Sequence, residues 1–279
     1  MDQEKKKARA IVVIDVDRTL IDRDPNNSWM GDSWFLLTSA FKANIEIHKE
    51  IYKEFLGSIS GNEEADKWFH DQMAEELVMQ WREAYGQPIT RKDIRAISEI
   101  ITRRVSEEAR AAITELIENG IFVIIGTGGI ADAAEAIANT LQIQEATLSE
   151  IESPDNIDWW FGNTKFEYDE GDTPTDDDVL IGFEHTKNIA GHKKIQAVKK
   201  MEEIEQKIGS YDHLPVIAVG DGVSDSALFT KSSVYGIAFQ PTNLDLRAEA
   251  DVVVETWQEV VSAALSYVAR QEAEAESFS

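Results

Sequence analysis

The sequence predicts an α/β fold: a doubly wound, mostly parallel sheet with a helical cap inserted after its first strand. Three observations predict it. Short unbroken runs of apolar, often β-branched residues mark strands covered on both faces. From Ser106 onward such runs alternate with amphipathic helices. Between the first strand and Ser106, residues 24–105 carry helical spacing and no strand pattern.

Ile11 to Ile14 form the first strand, four β-branched residues without alternation. Phe41, Ile45, Ile47, Ile51 and Phe55 then recur at helical spacing, as do Phe69, Met73, Leu77 and Trp81. Thr90 and Asp93 read as a capping box, with Ile94, Ile97, Ile101 and Val105 on the helix that follows. "SEEARAAITELIENG" is a helix closed by Asn119-Gly120, a left-handed stop. "IFVIIGTGG" is a second buried strand and "IADAAEAIANTLQI" the helix after it. Residues 146–190 read as short strands and turns, and Lys193 to Ile208 as another helix. "LPVIAVGDG", "VYGIAF" and "ADVVVE" supply three further strands before a last helix from Trp257 to about Gln271. The chain thus divides into an α/β core, residues 1–23 and 106–279, and a helical cap, residues 24–105.

Composition narrows the function classes. A chain of 279 residues fits one large domain, or one domain with a sizeable insertion. It is 43% hydrophobic without a long uncharged apolar run, so no membrane span is expected. The charged start "MDQEKKKARA" lacks an apolar signal region, which predicts a cytoplasmic protein. No cysteine is present, which excludes disulfides, a thiolate nucleophile and zinc-thiolate sites. A formal charge of -25 argues against nucleic acid and anionic membranes as partners, since both need a cationic face. The acidic run "EYDEGDTPTDDD" reads as a solvated loop. His48, His70, His185, His192 and His213 lack metal-ligand spacing and read as surface or capping residues.

The chemistry collects at three strand ends: Asp15-Val-Asp17-Arg-Thr19, Gly126-Thr127-Gly128-Gly129, and Gly220-Asp221-Gly222-Val-Ser-Asp225. If those strands are parallel neighbours, the ends converge on one crevice. Their carboxylates then share a magnesium ion, a hard cation that prefers oxygen ligands. The Thr127 hydroxyl and the amides of adjoining glycines suit an anion, and a phosphoryl group meets both demands. Lys193 or Lys194 offers a further cation.

"DVDRTL", "IIGTGG", the lysine of "GHKKIQAV" and "VGDGVSD", in that order, resemble the four signature motifs of the haloacid dehalogenase superfamily of phosphohydrolases. The threonine-glycine-glycine turn and the helical insertion after the first motif are most similar to its phosphoserine phosphatase-like branch. The resemblance covers residues 8–24 and 106–256. It implies a magnesium-dependent phosphate monoester hydrolase working through an aspartyl-phosphate on a small phosphorylated metabolite, phosphoserine or a related phosphoalcohol.

By that resemblance Asp15 is the nucleophile and Asp17 the general acid and base. Thr127, Gly128 and Gly129 hold the phosphoryl oxygens. Asp15, Asp221, Asp225 and the backbone carbonyl of Asp17 surround the metal. Lys194 is preferred over Lys193 because Ala197 and Val198 follow it at the expected offsets. Asp24 falls near the expected place of a cap glutamate that grips the substrate, while Arg82, Arg103 and Arg104 are unassigned. A phosphomutase uses the same constellation. Two other readings start from different residues: "GTGGIA" also fits a dinucleotide-binding fingerprint, which would make an oxidoreductase, and Trp29, Trp34, Trp68 and Trp81 could cage a quaternary ammonium. Packing in the cap core is the simpler account of the tryptophans.

Overall fold

The computed structural model describes residues 6–21, 31–58, 63–151, 159–171, 173–185, 214–222, 225, 228–229, 234–241 and 244–277. The run Ala10–Asp15 forms β1, and all six residues are buried, so both faces of the strand are covered. β2 (Ile121–Ile130), β3 (Trp160–Tyr168), β4 (Leu180–His185), β5 (Val216–Gly220), β6 (Val234–Phe239) and β7 (Val252–Val254) complete a 7-stranded sheet among the described residues. Its order is β4-β3-β2-β1-β5-β6-β7, parallel throughout except for the β3–β4 pair. From β1 the chain builds outward through β2 and β3 on one side, then through β5, β6 and β7 on the other. β1 is therefore the switch point of a doubly wound sheet, where the loops at the carboxyl ends of its two neighbours diverge and leave a crevice.

Helices α1 (Ser33–Ala40), α2 (Ile45–Ser58), α3 (Glu63–Tyr85) and α4 (Arg91–Thr102) fill the stretch after β1, and no strand interrupts them among the described residues. Entry and exit of this stretch meet at an antiparallel bridge between Ile21 and Val105. α5 (Glu107–Glu118), α6 (Ala131–Thr140), α7 (Ile143–Glu150), α8 (Leu244–Glu249) and α9 (Trp257–Ser277) belong with the sheet. Their ends follow the chemistry of their sequences. Ser106 caps α5 by accepting the Ala109 amide, and Gly120 at φ 79 turns the chain out of it. Thr90 and Asp93 form the expected capping box on α4. α9 continues past Gln271 to Ser277.

Two expected helices are each broken by a left-handed residue. The apolar spacing from Phe41 to Phe55 does not lie on one helix, because Phe41 caps the end of α1 and Lys42 takes φ 58. Phe41 is still buried, since the turn lays its ring against Trp81 at 5.6 Å and Tyr85 at 5.2 Å. Likewise α6 stops at Thr140, and Gln142 at φ 51 redirects the chain so that Ile143 is buried at the start of α7. The expected helix from Lys193 to Ile208 lies outside the described residues.

A polar hub ties α1, α2 and α3 together. The Thr38 hydroxyl lies 2.8 Å from Trp81 Nε1, 2.7 Å from His48 Nδ1 and 3.0 Å from the Trp34 carbonyl. A hydroxyl has one proton and two lone pairs. The indole must donate to it and the carbonyl must accept from it, so His48 completes the set by donating from Nδ1. His48 is buried, contrary to the surface or capping role expected of it, and burial lowers its pKa, favouring the neutral ring, here with its proton on Nδ1. Trp34 and Trp81 are buried beside the hub 5.8 Å apart, which is core packing and no cage; Trp68 is exposed and Trp29 lies outside the described residues.

The acidic run also departs from expectation. It forms the loop between β3 and β4, and although exposed it is docked. The Arg91 and Lys92 amides donate to the Asp178 and Asp176 carbonyls at 2.9 Å each, and the Leu180 amide donates to the Ile89 carbonyl at 2.8 Å. Arg91 pairs with Glu170 and Asp178 and lies over the Tyr168 ring, Arg95 pairs with Asp176, and Arg82 donates to the Leu180 carbonyl. Among the described residues, no helix is long and apolar enough to cross a membrane.

Candidate active site

Strand register decides which residues meet. Asp15, the last residue of β1, pairs with Gly126 of β2, and Ile14 pairs with Val219 of β5. Thr127 and Asp221 therefore lie about one residue beyond Asp15 on its two sides. The structure brings Asp15, Asp221 and Asp225 together, each offering a carboxylate oxygen within 4.8 Å of the others, all three buried. Asp225 reaches this cluster because Gly220 has no side chain: a Cβ there would fall 2.1 Å from the Asp225 Cγ. The Gly222 amide donates to Asp225 Oδ2 at 3.0 Å and Thr19 Oγ1 donates to Asp15 Oδ2 at 3.3 Å.

Three buried carboxylates this close repel one another unless a cation or protons intervene. Their donor set is all oxygen, which suits a hard divalent ion such as magnesium, and the site fits one.

Asp17 points elsewhere. Past β1 the chain makes a tight irregular turn, Val16–Leu20, in which Arg18 takes φ 62, a conformation that costs a non-glycine residue about 1–3 kcal/mol. That turn swings the Asp17 carboxylate away from the other three and toward the start of α1. The Ser33 amide donates to Asp17 Oδ1 at 2.7 Å, and Thr127 Oγ1 lies 3.5 Å from Oδ2. Burial, and then the nearby Asp32 carboxylate, push the Asp17 pKa up to about 7, against the opposing pull of Ser33 and Arg18. A carboxyl poised there can both give and take a proton near neutrality.

Thr127 is buried on β2, and its hydroxyl accepts the Gly129 amide at 2.9 Å. The threonine-glycine-glycine segment is not the turn expected of it. It stays in the strand, with a register shift against β3 between Thr127 and Ile130, and helix α6 starts only at Ala131. The glycine-rich turn that a dinucleotide fingerprint needs between strand and helix is therefore missing. Gly129 lies against the acid: a Cβ there would fall 2.6 Å from Asp17 Oδ2 and 3.2 Å from both Ser33 Oγ and Thr127 Oγ1.

Several residues here escaped the sequence reading. Asp32 caps α1 by accepting the Phe35 amide at 3.1 Å, and its other oxygen lies 3.9 Å from Arg18. Ser33 opens the helix. Tyr52 of α2 feels the charges of Asp32, Arg18, Asp17 and Asp221, although burial is the main cause of its raised pKa. "DSWFLL" is a helix-start pattern, a capping residue before an apolar run, and it could have located α1; only the fold shows where that start points. Asp24, Lys193 and Lys194 lie outside the described residues. Arg103 and Arg104 are exposed at the end of α4, and Arg82 bonds to β4, away from the cluster.

The family model for haloacid dehalogenase-like hydrolase matches residues 12–230. No curated protein matches the sequence. Among solved structures, the chain resembles a phosphoserine phosphatase described as a phospho-aspartyl intermediate analogue, with a TM-score of 0.59 at 20% identity over 92% of this chain and 99% of that one. A substrate-bound phosphoserine phosphatase matches with a TM-score of 0.58 at 20% identity, covering 93% and 99%. Cytosolic 5′-nucleotidase IIIB bound to cytidine matches at 0.58 and 15% identity, covering 95% and 86%. At these identities the likeness is one of fold.

Proposed function

The chain belongs to the haloacid dehalogenase-like hydrolase family, and from that premise we propose that it is a phosphatase, hydrolysing a small phosphate monoester through an aspartyl-phosphate on Asp15. The observation that carries this reading is the separation of the two aspartates of the first motif: Asp15 joins the carboxylate cluster, while Asp17 is held apart beside Thr127 with its pKa near neutrality.

In the first step an Asp15 oxygen attacks phosphorus, the bond from phosphorus to the ester oxygen breaks, and Asp17 gives its proton to the departing alkoxide. In the second, a water oxygen attacks the same phosphorus, Asp17 takes the water's proton, and the bond to Asp15 breaks to release phosphate. Thr127 and the Gly128 amide hold the phosphoryl oxygens, while the Gly129 amide fixes the Thr127 hydroxyl. Asp15, Asp221, Asp225 and the Asp17 carbonyl hold magnesium, which when bound offsets the charge of the carboxylates and the phosphate. Lys194 adds a further positive charge.

The helices between Ile21 and Val105 act as a cap that covers this site and selects the substrate. Phosphoserine or a related phosphoalcohol is the substrate class the neighbouring phosphatases favour. The presence of a 5′-nucleotidase among the structural neighbours makes nucleoside monophosphates the next esters to assay.

Rapid-quench time courses on an alkyl phosphate and on p-nitrophenyl phosphate test the assignment. Asp15→Asn should acquire no phosphate from either ester. Asp17→Asn should slow the alkyl ester by about 10²–10⁴ while the aryl ester, whose phenolate leaves unaided, still phosphorylates the protein and traps it there. Phosphate on Asp15→Asn, or equal loss of the phosphorylation step on both esters in Asp17→Asn, would overturn the roles.

A further inference from the structure

The proton-transfer residue in this site is held by a helix that does not belong to the sheet. Asp32 caps α1, its side chain accepting the Phe35 amide. The Ser33 amide, one of the four that a helix start leaves without a partner in its own helix, projects instead onto Asp17 Oδ1. At 2.7 Å, amide to carboxylate, this is a short charge-assisted hydrogen bond. It occupies one of the two carboxylate oxygens. The other, Oδ2, is left facing Thr127 Oγ1 and the Cα side of Gly129, the wall of the phosphoryl crevice.

Resting on the phosphatase reading above, we propose that Ser33 is a positioning residue: its backbone amide orients Asp17 so that Oδ2 is the oxygen that passes the proton. Because that amide comes from α1, the acid is in place only while the helical layer is docked. Without that bond Asp17 is free to rotate about its side-chain bonds, and misplacement by about 1 Å costs on the order of 10² in rate.

The amide can be removed without disturbing its helix. Ser33 is the first residue of α1, a position where proline is well tolerated because that N–H makes no bond within the helix. Asp32 before it has φ -109 and ψ 127, extended as a residue preceding proline must be. Ser33→Pro should lower the rate of phosphorylation by an alkyl phosphate about 10- to 100-fold, with KM little changed. p-Nitrophenyl phosphate should phosphorylate the protein at close to the wild-type rate, since its leaving group needs no proton. Ser33→Ala, which keeps the amide and loses the hydroxyl, should shift the alkyl-to-aryl ratio by less than Ser33→Pro does.

An amide-to-ester substitution at Ser33, which exchanges N–H for oxygen with little change in chain geometry, should reproduce the proline result, and it decides the matter if Ser33→Pro fails to fold. Equal losses on both esters, an unchanged alkyl rate, or a Ser33→Ala ratio shifted as far as that of Ser33→Pro would overturn the inference while leaving the phosphatase reading standing. If the wild-type protein releases phosphate from no ester, both fall together.

Discussion

Replacing Gly129 by alanine adds one methyl group where Asp17, Ser33 and Thr127 converge. The backbone there is outside the left-handed region, so alanine is free to adopt it. Alanine also restricts the unfolded chain, a gain of up to about 1 kcal/mol that the crowding opposes, so net stability should fall by no more than about 1–2 kcal/mol. The cost falls on the site. A Cβ 2.6 Å from Asp17 Oδ2 forces that oxygen back by roughly half an ångström, and the contacts at 3.2 Å to Ser33 Oγ and Thr127 Oγ1 block the easy ways out. Asp17 cannot retreat without lengthening its bond to the Ser33 amide. Since misplacement by about 1 Å costs on the order of 10² in rate, half of that should reduce kcat on an alkyl phosphate by about 10-fold, and the crowding of Thr127 should bring the total toward 100-fold, or about 2.7 kcal/mol. The assay pairs steady-state kinetics on an alkyl phosphate with a thermal melt. A variant as stable as the wild type that keeps its alkyl kcat within about twofold would refute the reasoning, for the acid would then have room that the structure denies it.

Chelation should abolish turnover, and magnesium should restore it where excess calcium does not; full turnover in metal-free buffer would remove the role given to the Asp15, Asp221 and Asp225 cluster. Thr38→Val keeps the shape of the hub but removes the partner of the Trp81 indole and of His48 Nδ1, so urea unfolding should show a loss of about 2–3 kcal/mol, and a loss below about 0.5 kcal/mol would contradict the bonding described. Asp132 is raised to about 6 by burial, which outweighs the pull of the Phe166 and Asp132 amides, and its Oδ2 has no hydrogen-bond partner among the described residues. The stability tied to its protonated form is full below the ordinary aspartate range and is lost as pH rises through about 6. Asp132→Asn stays neutral throughout, so it should exceed the wild type by about 2 kcal/mol at pH 8 and match it at pH 4; a difference independent of pH would count against this account.

The sheet was legible because buried parallel strands leave an unambiguous pattern. Ala10–Asp15, Ile121–Ile130 and Val216–Gly220 are apolar without alternation and end in charged or glycine-rich residues, which locates the crevice as well as the strands. The helices were legible as helices but not in their breaks. Lys42 and Gln142 adopt positive φ without being glycine, and local sequence does not announce a conformation that tertiary packing of Phe41 and Ile143 imposes. His48 was misjudged for the same reason, since its burial depends on Thr38, 10 residues before it, and on Trp81, which lies 43 residues after Thr38. The carboxylates of the site could be named from motif order. The group that aims one of them, the Ser33 amide, is a backbone atom that any residue but proline carries, and only the direction of α1 gives it a role.

The docking of the acidic loop on α4 has a mechanical consequence. The helical layer is joined to the rest of the molecule at the Ile21–Val105 bridge and again at the Thr90–Val179 bridge, where main-chain bonds from Arg91, Lys92 and Leu180 reinforce the joint. Between these joints the layer packs on the sheet, with the rings of Trp34 and Trp81 6.5 and 6.2 Å from that of Phe166 in β3, so it is held by apolar area as well as by the two bridges. The main-chain bonds at the second bridge carry no net charge, so salt that screens Arg91 and Arg95 from their carboxylates would leave that joint in place. α1, which holds Ser33, contributes to neither bridge; it is seated instead by Trp34 against Phe166 and by the Ser33 amide on Asp17, so the grip on the acid depends on packing and one hydrogen bond and not on the surface ion pairs.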